Sequence, residues 1–206
     1  LRDLLPGERL FETNVHARYN PEADSQINTV PGLMGVVLTM TMVMITALAI
    51  TREYERGTME ALLAMPVRPL EVMLGKIIPY IMVGYVQQLL VVMVGVVLFG
   101  VPMEGSLLLL VGLTLPFITA NLSMGLTFST LARNQLQAMQ MAFFFFLPSI
   151  LLSGFMFPFK GMPGWAQVIG ECLPLTHFLR IVRGVLLKGN TLMDLWPEVW
   201  PILIGM

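Results

Sequence analysis

Few residues in this chain have side chains capable of chemistry, and their spacing argues against most catalysis. His16 and His177 stand far apart, with no ligand cluster around either, and each reads as an ordinary surface or interface histidine. Cys172 is the only cysteine, so neither an internal disulfide nor a cysteine-built metal site can form. Gly75-Lys76 resembles the end of a phosphate-binding loop. The earlier glycine of that motif would fall at Leu70, however, and Ile77 stands where it needs Ser or Thr. The densest ionic stretch is Ile50 to Lys76, "ITREYERGTMEALLAMPVRPLEVMLGK", with four basic and four acidic residues. A net charge of −1 leaves no basic excess to neutralise the phosphates of a nucleic acid.

The segments around that stretch explain its setting. The chain has 206 residues, 56% of them hydrophobic and 12% charged, with mean hydropathy +0.77. Soluble domains carry roughly a quarter charged residues. The apolar residues come in long runs, which predicts an all-α polytopic membrane protein. Residues 1–30 are polar and read as the end of a soluble region, the chain being read as a piece of a longer protein. Spans are predicted at about 31–50, 77–100, 106–130 and 136–157, with the start of a fifth at about 196–206. Pro31 suits a first helical position, where its missing N–H costs nothing. No Asp, Glu, Lys, Arg or His falls inside the four spans, which weighs against an ion-coupled carrier and against an intramembrane protease.

The spans carry uncharged polar residues instead. Gln87 and Gln88 lie mid-span in the second. Asn121, Gly125 and Ser129 repeat every four residues in the third, and Ser149 and Ser153 do so in the fourth. Small residues at this spacing allow close helix approach, and amides can bond across helices. Helix packing and a substrate-facing seam both fit that pattern. Pro116 and Pro148 can bend the third and fourth spans. The run Phe143–Phe146 reads as lipid-facing or packing surface.

Two short helices are predicted within 163–188. "MPGWAQVIGECLP" is bounded by prolines. "PLTHFLRIVRGVLLKG" sets Leu175, Phe178, Leu179, Val182 and Leu186 on one face, and Thr176, Arg180 and Arg183 on another. This pair is too short and too charged to span, so it is expected at the membrane surface or dipping partly in. It could be an interfacial hairpin or a lid over an exit path.

In the ionic stretch, Arg52, Glu53, Glu55 and Arg56 anchor the end of the first span, and Gly57 lets the chain turn. Thr58 to Met65 then forms a short amphipathic helix showing Met59, Leu62 and Leu63, with Glu60 in its first turn and Pro66 and Pro69 ending it. A helix this short is marginal alone and needs a surface or a groove.

This stretch, followed by "LSGFMFP" and "PLTHFLRIVRGVLLKG", resembles the membrane subunit of ABC-2 type exporters, among them the bacterial multidrug-export-like permeases. The resemblance runs from about Pro31 to the end of the chain. It departs at Leu173 to His177, where relatives often carry Asn-Pro and an aromatic residue. It implies a permease helical bundle in the bacterial inner membrane, moving an amphipathic or drug-like substrate outward. Residues 1–30 would end an extracytoplasmic region, 51–76 would be a cytoplasmic coupling segment, and 163–188 a re-entrant pair near the exit. The implied contact with an ABC ATPase subunit consists of Arg52, Glu53, Glu55, Arg56, Gly57, Thr58, Met59, Glu60, Leu62 and Leu63. No cofactor is expected in this chain, because ATP and Mg would sit in the partner ATPase. A second permease subunit and membrane lipid are the other implied partners. Charge does not supply the orientation. Arg52, Arg56, Arg68, Lys76 and Arg133 would be inside, against Arg2, Arg9, Arg18, Lys160, Arg180, Arg183 and Lys188 outside. An ion-coupled secondary carrier and a non-transporting scaffold subunit are the alternatives.

Overall fold

The computed structural model describes residues 25–57 and 69–204. Seven α-helices follow one another there: α1 (Ser25–Glu55), α2 (Pro69–Phe99), α3 (Leu107–Leu131), α4 (Gln135–Leu152), α5 (Gly164–Glu171), α6 (Pro174–Lys188) and α7 (Leu192–Ile204). A single 3-10 turn, Phe159–Gly161, precedes α5. Helices α1 to α4 each contain a segment long and apolar enough to cross a membrane. Apolar side chains drive this choice, because in lipid only a helix satisfies its own backbone polar groups.

The helices overrun the predicted spans. α1 has 31 residues, roughly 46 Å at 1.5 Å per residue, so it projects beyond a hydrocarbon layer of about 30 Å. It starts at Ser25, and Pro31 lies inside it rather than at its first position. α2 begins at Pro69, not near residue 77, with the proline at the helix start where its missing N–H is tolerated. α4 stops at Leu152, short of the expected 157. Gly154 adopts φ 83°, a left-handed turn that ends the helix, so the apolar "FMF" that follows is not part of a span. The predicted helix Thr58–Met65 and the polar segment 1–24 lie outside the described residues.

α1 is the hub and packs against α2, α3, α4 and α6. Its contact with α3 is the closest. A Cβ built at Gly125 would stand 2.7 Å from the Val43 carbonyl oxygen and 2.7 Å from Thr46 Cβ, so only glycine lets the backbones approach this far. α2 is more peripheral, turning Val86, Leu90, Met93 and Val97 outward. The phenylalanine run divides by helical position. Phe143 and Phe144 are exposed, Phe145 meets Phe128 at 5.6 Å, and Phe146 is buried.

α5 and α6 fall close to their predicted limits, and α6 is covered by the rest of the bundle. Twelve of its 15 residues are buried, among α1, α3, α4 and α7. Thr176, expected on the polar face, is fully buried and donates from its hydroxyl to the Gly170 carbonyl at 2.6 Å. Phe178 stacks on Phe117 of α3 with ring centres 3.8 Å apart. Gly189 closes α6 at φ 62°. The 100–106 loop joining α2 to α3 is fastened to this helix end, with Glu104 N–H donating to the Leu186 carbonyl at 3.0 Å. A Cβ at Gly105 would fall 2.3 Å from the Val185 carbonyl oxygen.

Candidate functional site

The first charged group is the end of α1. Glu53 pairs with Lys76 of α2. Glu55 accepts from the backbone N–H of Gln135 at 2.7 Å and from its side-chain amide, at the first residue of α4. Arg52 Nε reaches Gln135 Oε1 at 3.4 Å. Arg56 and Gly57 are exposed, and Gly57 turns the chain at φ 68°. Three helices are thus tied at one end by α1's charges. Gln135, whose side chain meets both Arg52 and Glu55, was not visible as a partner from sequence. Of the predicted coupling contact, Arg52 to Gly57 are described; Thr58, Met59, Glu60, Leu62 and Leu63 lie outside the described residues.

The uncharged polar residues form a seam around α1. Ser129 Oγ accepts the Thr51 N–H at 3.1 Å, so the Asn121–Gly125–Ser129 stripe faces α1. Asn121 is fully buried. Its Nδ2 donates to the Phe117 carbonyl at 2.8 Å, and its Oδ1 has no partner. Gln87 Nε2 donates to Thr41 Oγ1 at 2.9 Å. Gln88 is fully buried with neither amide atom bonded. Ser149 and Ser153 are buried and donate back to their own helix, to Phe145 at 2.7 Å and Ile150 at 3.1 Å.

A second charged group went unnoticed in the sequence. His177, read there as an ordinary surface or interface residue, is buried on α6. Its Nδ1 lies 2.6 Å from Glu198 Oε2 on α7, and its Nε2 lies 2.8 Å from the Glu171 carbonyl oxygen on α5. Arg180 lies against both carboxylates, 2.6 Å from Glu171 and 3.3 Å from Glu198, with its guanidinium 4.8 Å above the Phe159 ring. Both ring nitrogens of His177 face pure acceptors, which calls for the imidazolium. Burial opposes that charge. The Glu198 hydrogen bond, the Glu171 carbonyl and the two carboxylate charges outweigh it and raise the His177 pKa. Arg180 is likewise raised, first by its hydrogen bond to Glu171. The partners come from three elements, so no local motif announces them.

Among the described residues, no group of three or more His, Cys, Asp or Glu side chains is arranged to hold a metal ion. Nothing in this arrangement is a nucleophile–base pair. What it offers is an apolar bundle with unpaired amides at depth and charged fastenings at each end.

These features define a polytopic helical membrane domain whose charged side chains, among the described residues, sit at the ends of its spans rather than at mid-span. Residues 10–187 match the family model for the ABC-2 type transporter membrane domain, and the chain belongs to that family. It is 39% identical over 184 residues to the "Probable multidrug ABC transporter permease YbhS" of Escherichia coli, which covers 89% of this chain and 49% of the relative. It is 33% identical over 199 residues to "Probable multidrug ABC transporter permease YbhR" of the same organism, covering 97% and 54%. A more distant similarity, 26% over 170 residues, is to "ABC transporter G family member 20" of Dictyostelium discoideum, covering 82% and 23%. The chain spans about half the length of the bacterial relatives it matches. No solved structure matches it.

Proposed function

We propose that the chain is the membrane core of a permease that exports an amphipathic or drug-like substrate across the bacterial inner membrane, driven by a separate or fused ATPase. The observation that carries this reading is the family match over residues 10–187, together with relatives named as ABC transporter permeases. The lack of charged side chains at mid-span in these four helices fits it, because no ion-coupling group lies at depth among the described residues. ATP and Mg belong to the ATPase in this reading, and two permease subunits pair. Segment 51–76 faces the cytoplasm, residues 1–30 end an extracytoplasmic region, and α5 and α6 form the re-entrant pair at the outer side.

The coupling contact is Met59, Glu60, Leu62 and Leu63, with Arg52, Glu53, Glu55, Arg56, Gly57 and Thr58 at its edge. What supports it is that the end of α1 is bonded to α2 through Glu53–Lys76 and to α4 through Glu55–Gln135, so a push there would reach both. The test is charge reversal of Arg56 and Glu60 together in the full-length protein with its ATPase. Substrate-stimulated ATP hydrolysis should fall while membrane insertion stays normal. Unchanged stimulation in that double variant would sink the coupling assignment.

A further inference from the structure

Arg180 and Arg183 sit one turn apart on α6, and their surroundings differ sharply. Arg180 has two carboxylates and an aromatic ring. Arg183 is partly buried, makes no hydrogen bond or ion pair among the described residues, and its Nε is enclosed without any acceptor. None of the described carboxylates of this end pairs with Arg183, and Glu104 is exposed on the 100–106 loop beside the far end of α6. Glu171 and Glu198 hold Arg180 and His177, and Asp194 accepts from Thr191. An arginine cannot shed its proton to escape, so a partly enclosed guanidinium without a counter-charge carries a desolvation cost that an anionic partner would offset.

The space beside Arg183 is shaped by glycine. A Cβ at Gly32 of α1 would stand 2.6 Å from the Phe155 ring and 3.5 Å from Arg183 Nη2. Phe155 follows the end of α4, so the guanidinium looks into a junction of α1, α6 and the turn after α4. The neighbours of that junction along the chain are exposed and apolar: Leu33, Met156 and Phe157. One charged, planar, five-donor group beside exposed apolar surface matches a ligand with an anionic head and an apolar tail. Guanidinium is suited to phosphate, sulfonate or carboxylate oxygens because it can donate two parallel hydrogen bonds.

We propose that Arg183 is the anion-binding element of a site for an anionic amphiphile at the junction of Gly32, Phe155 and α6. As a stop on an export route the site rests on the reading above. As a binding site it does not, and the experiment reads binding alone.

The full-length protein is placed in phosphatidylcholine nanodiscs and treated with the arginine reagent phenylglyoxal, with modification resolved by peptide mass spectrometry. Arg183 should react in phosphatidylcholine, and added phosphatidylglycerol should protect it, while Arg180 stays slow throughout because it is paired. Protection by inorganic phosphate alone, to the same extent, would keep the anion site but assign it to a free anion. In native mass spectrometry, phosphatidylglycerol retention should exceed phosphatidylcholine by about tenfold, the order that a charge-assisted hydrogen bond supplies. Arg183→Gln should lose that preference, and Arg183→Lys should keep only the part that charge alone supplies. The proposal is overturned if phosphatidylglycerol gives no more protection than phosphatidylcholine. It also fails if Arg183 is already unreactive in phosphatidylcholine, which would mean the protein supplies its own counter-charge. Both protection outcomes are read on the native sequence, so poor folding of Arg183→Gln leaves the test intact.

Discussion

Arg52, Glu53, Glu55 and Arg56 end α1, while Glu171, His177, Arg180 and Glu198 join α5, α6 and α7. Each set has four charged side chains, and each links three helices. The α1 set is largely exposed, works through pairwise contacts, and leaves Arg56 reaching outward. The α6 set is a closed network around a buried imidazolium, in which every charged group touches an opposite one. Water screens the first, so any one pair there contributes little. In the second, His177 is enclosed while its partners stay partly exposed, so the buried imidazole rather than any single pair makes the set intolerant of a missing member. The contrast suggests a division of labour: an adaptable charged end suited to meeting another surface, and a fixed charged corner that holds a short helix inside the bundle.

Removing one member of the closed network should show the largest effect. Glu198→Ala takes from His177 its nearest carboxylate and leaves Glu171 as the only one shared with Arg180, and should cost about 2 kcal/mol of stability, less than a fully buried pair because Glu198 is partly exposed. Thermal unfolding in detergent or nanodiscs reads it, and a loss as small as that of an exposed pair would erase the contrast. Next comes pH. The His177 pKa is raised in the folded state, so its contribution is fully present below the unfolded value of about 6.5. It declines as pH rises through the folded pKa. Unfolding midpoints across the neutral range should therefore fall toward alkaline pH, and His177→Gln should flatten that slope. An equally steep slope in the variant would place the titration elsewhere. Phe159→Leu, which removes the ring beneath Arg180, should cost about 0.5–1 kcal/mol. The smallest effect belongs to the α1 end, where Lys76→Ala should change stability by about 0.5 kcal/mol or less. A loss there as large as that of Glu198→Ala would make the two ends alike.

The four spans were readable because apolar runs of the right length have one solution in lipid. Their ends were harder to read. Hydropathy reports where the hydrocarbon stops, and a helix is free to continue past it, as α1 does to Glu55 and α2 does from Pro69. At α4 the error ran the other way, because Phe155 to Phe157 are apolar without being helical. The apolar face of α6 was legible in Leu175, Phe178, Leu179, Val182 and Leu186, all of them buried. That the bundle also covers Thr176 and His177 was not, since amphipathic periodicity describes one helix and not what surrounds it. His177 shows the general obstacle: its partners Glu171 and Glu198 lie on other helices, and no spacing rule connects them.

The loop at 100–106 gives the molecule a mechanical property. Glu104 is bonded to Leu186, and Gly105 lies so close to Val185 that no side chain could stand between them. The crest of the α2–α3 hairpin and the tail of α6 are therefore riveted together. A tilt of that hairpin, started at its far end near Lys76, would load the Glu104–Leu186 hydrogen bond before leaving α6 behind. The far end of the α2–α3 hairpin and the tail of α6 thus belong to one lever, with the 100–106 loop as its joint.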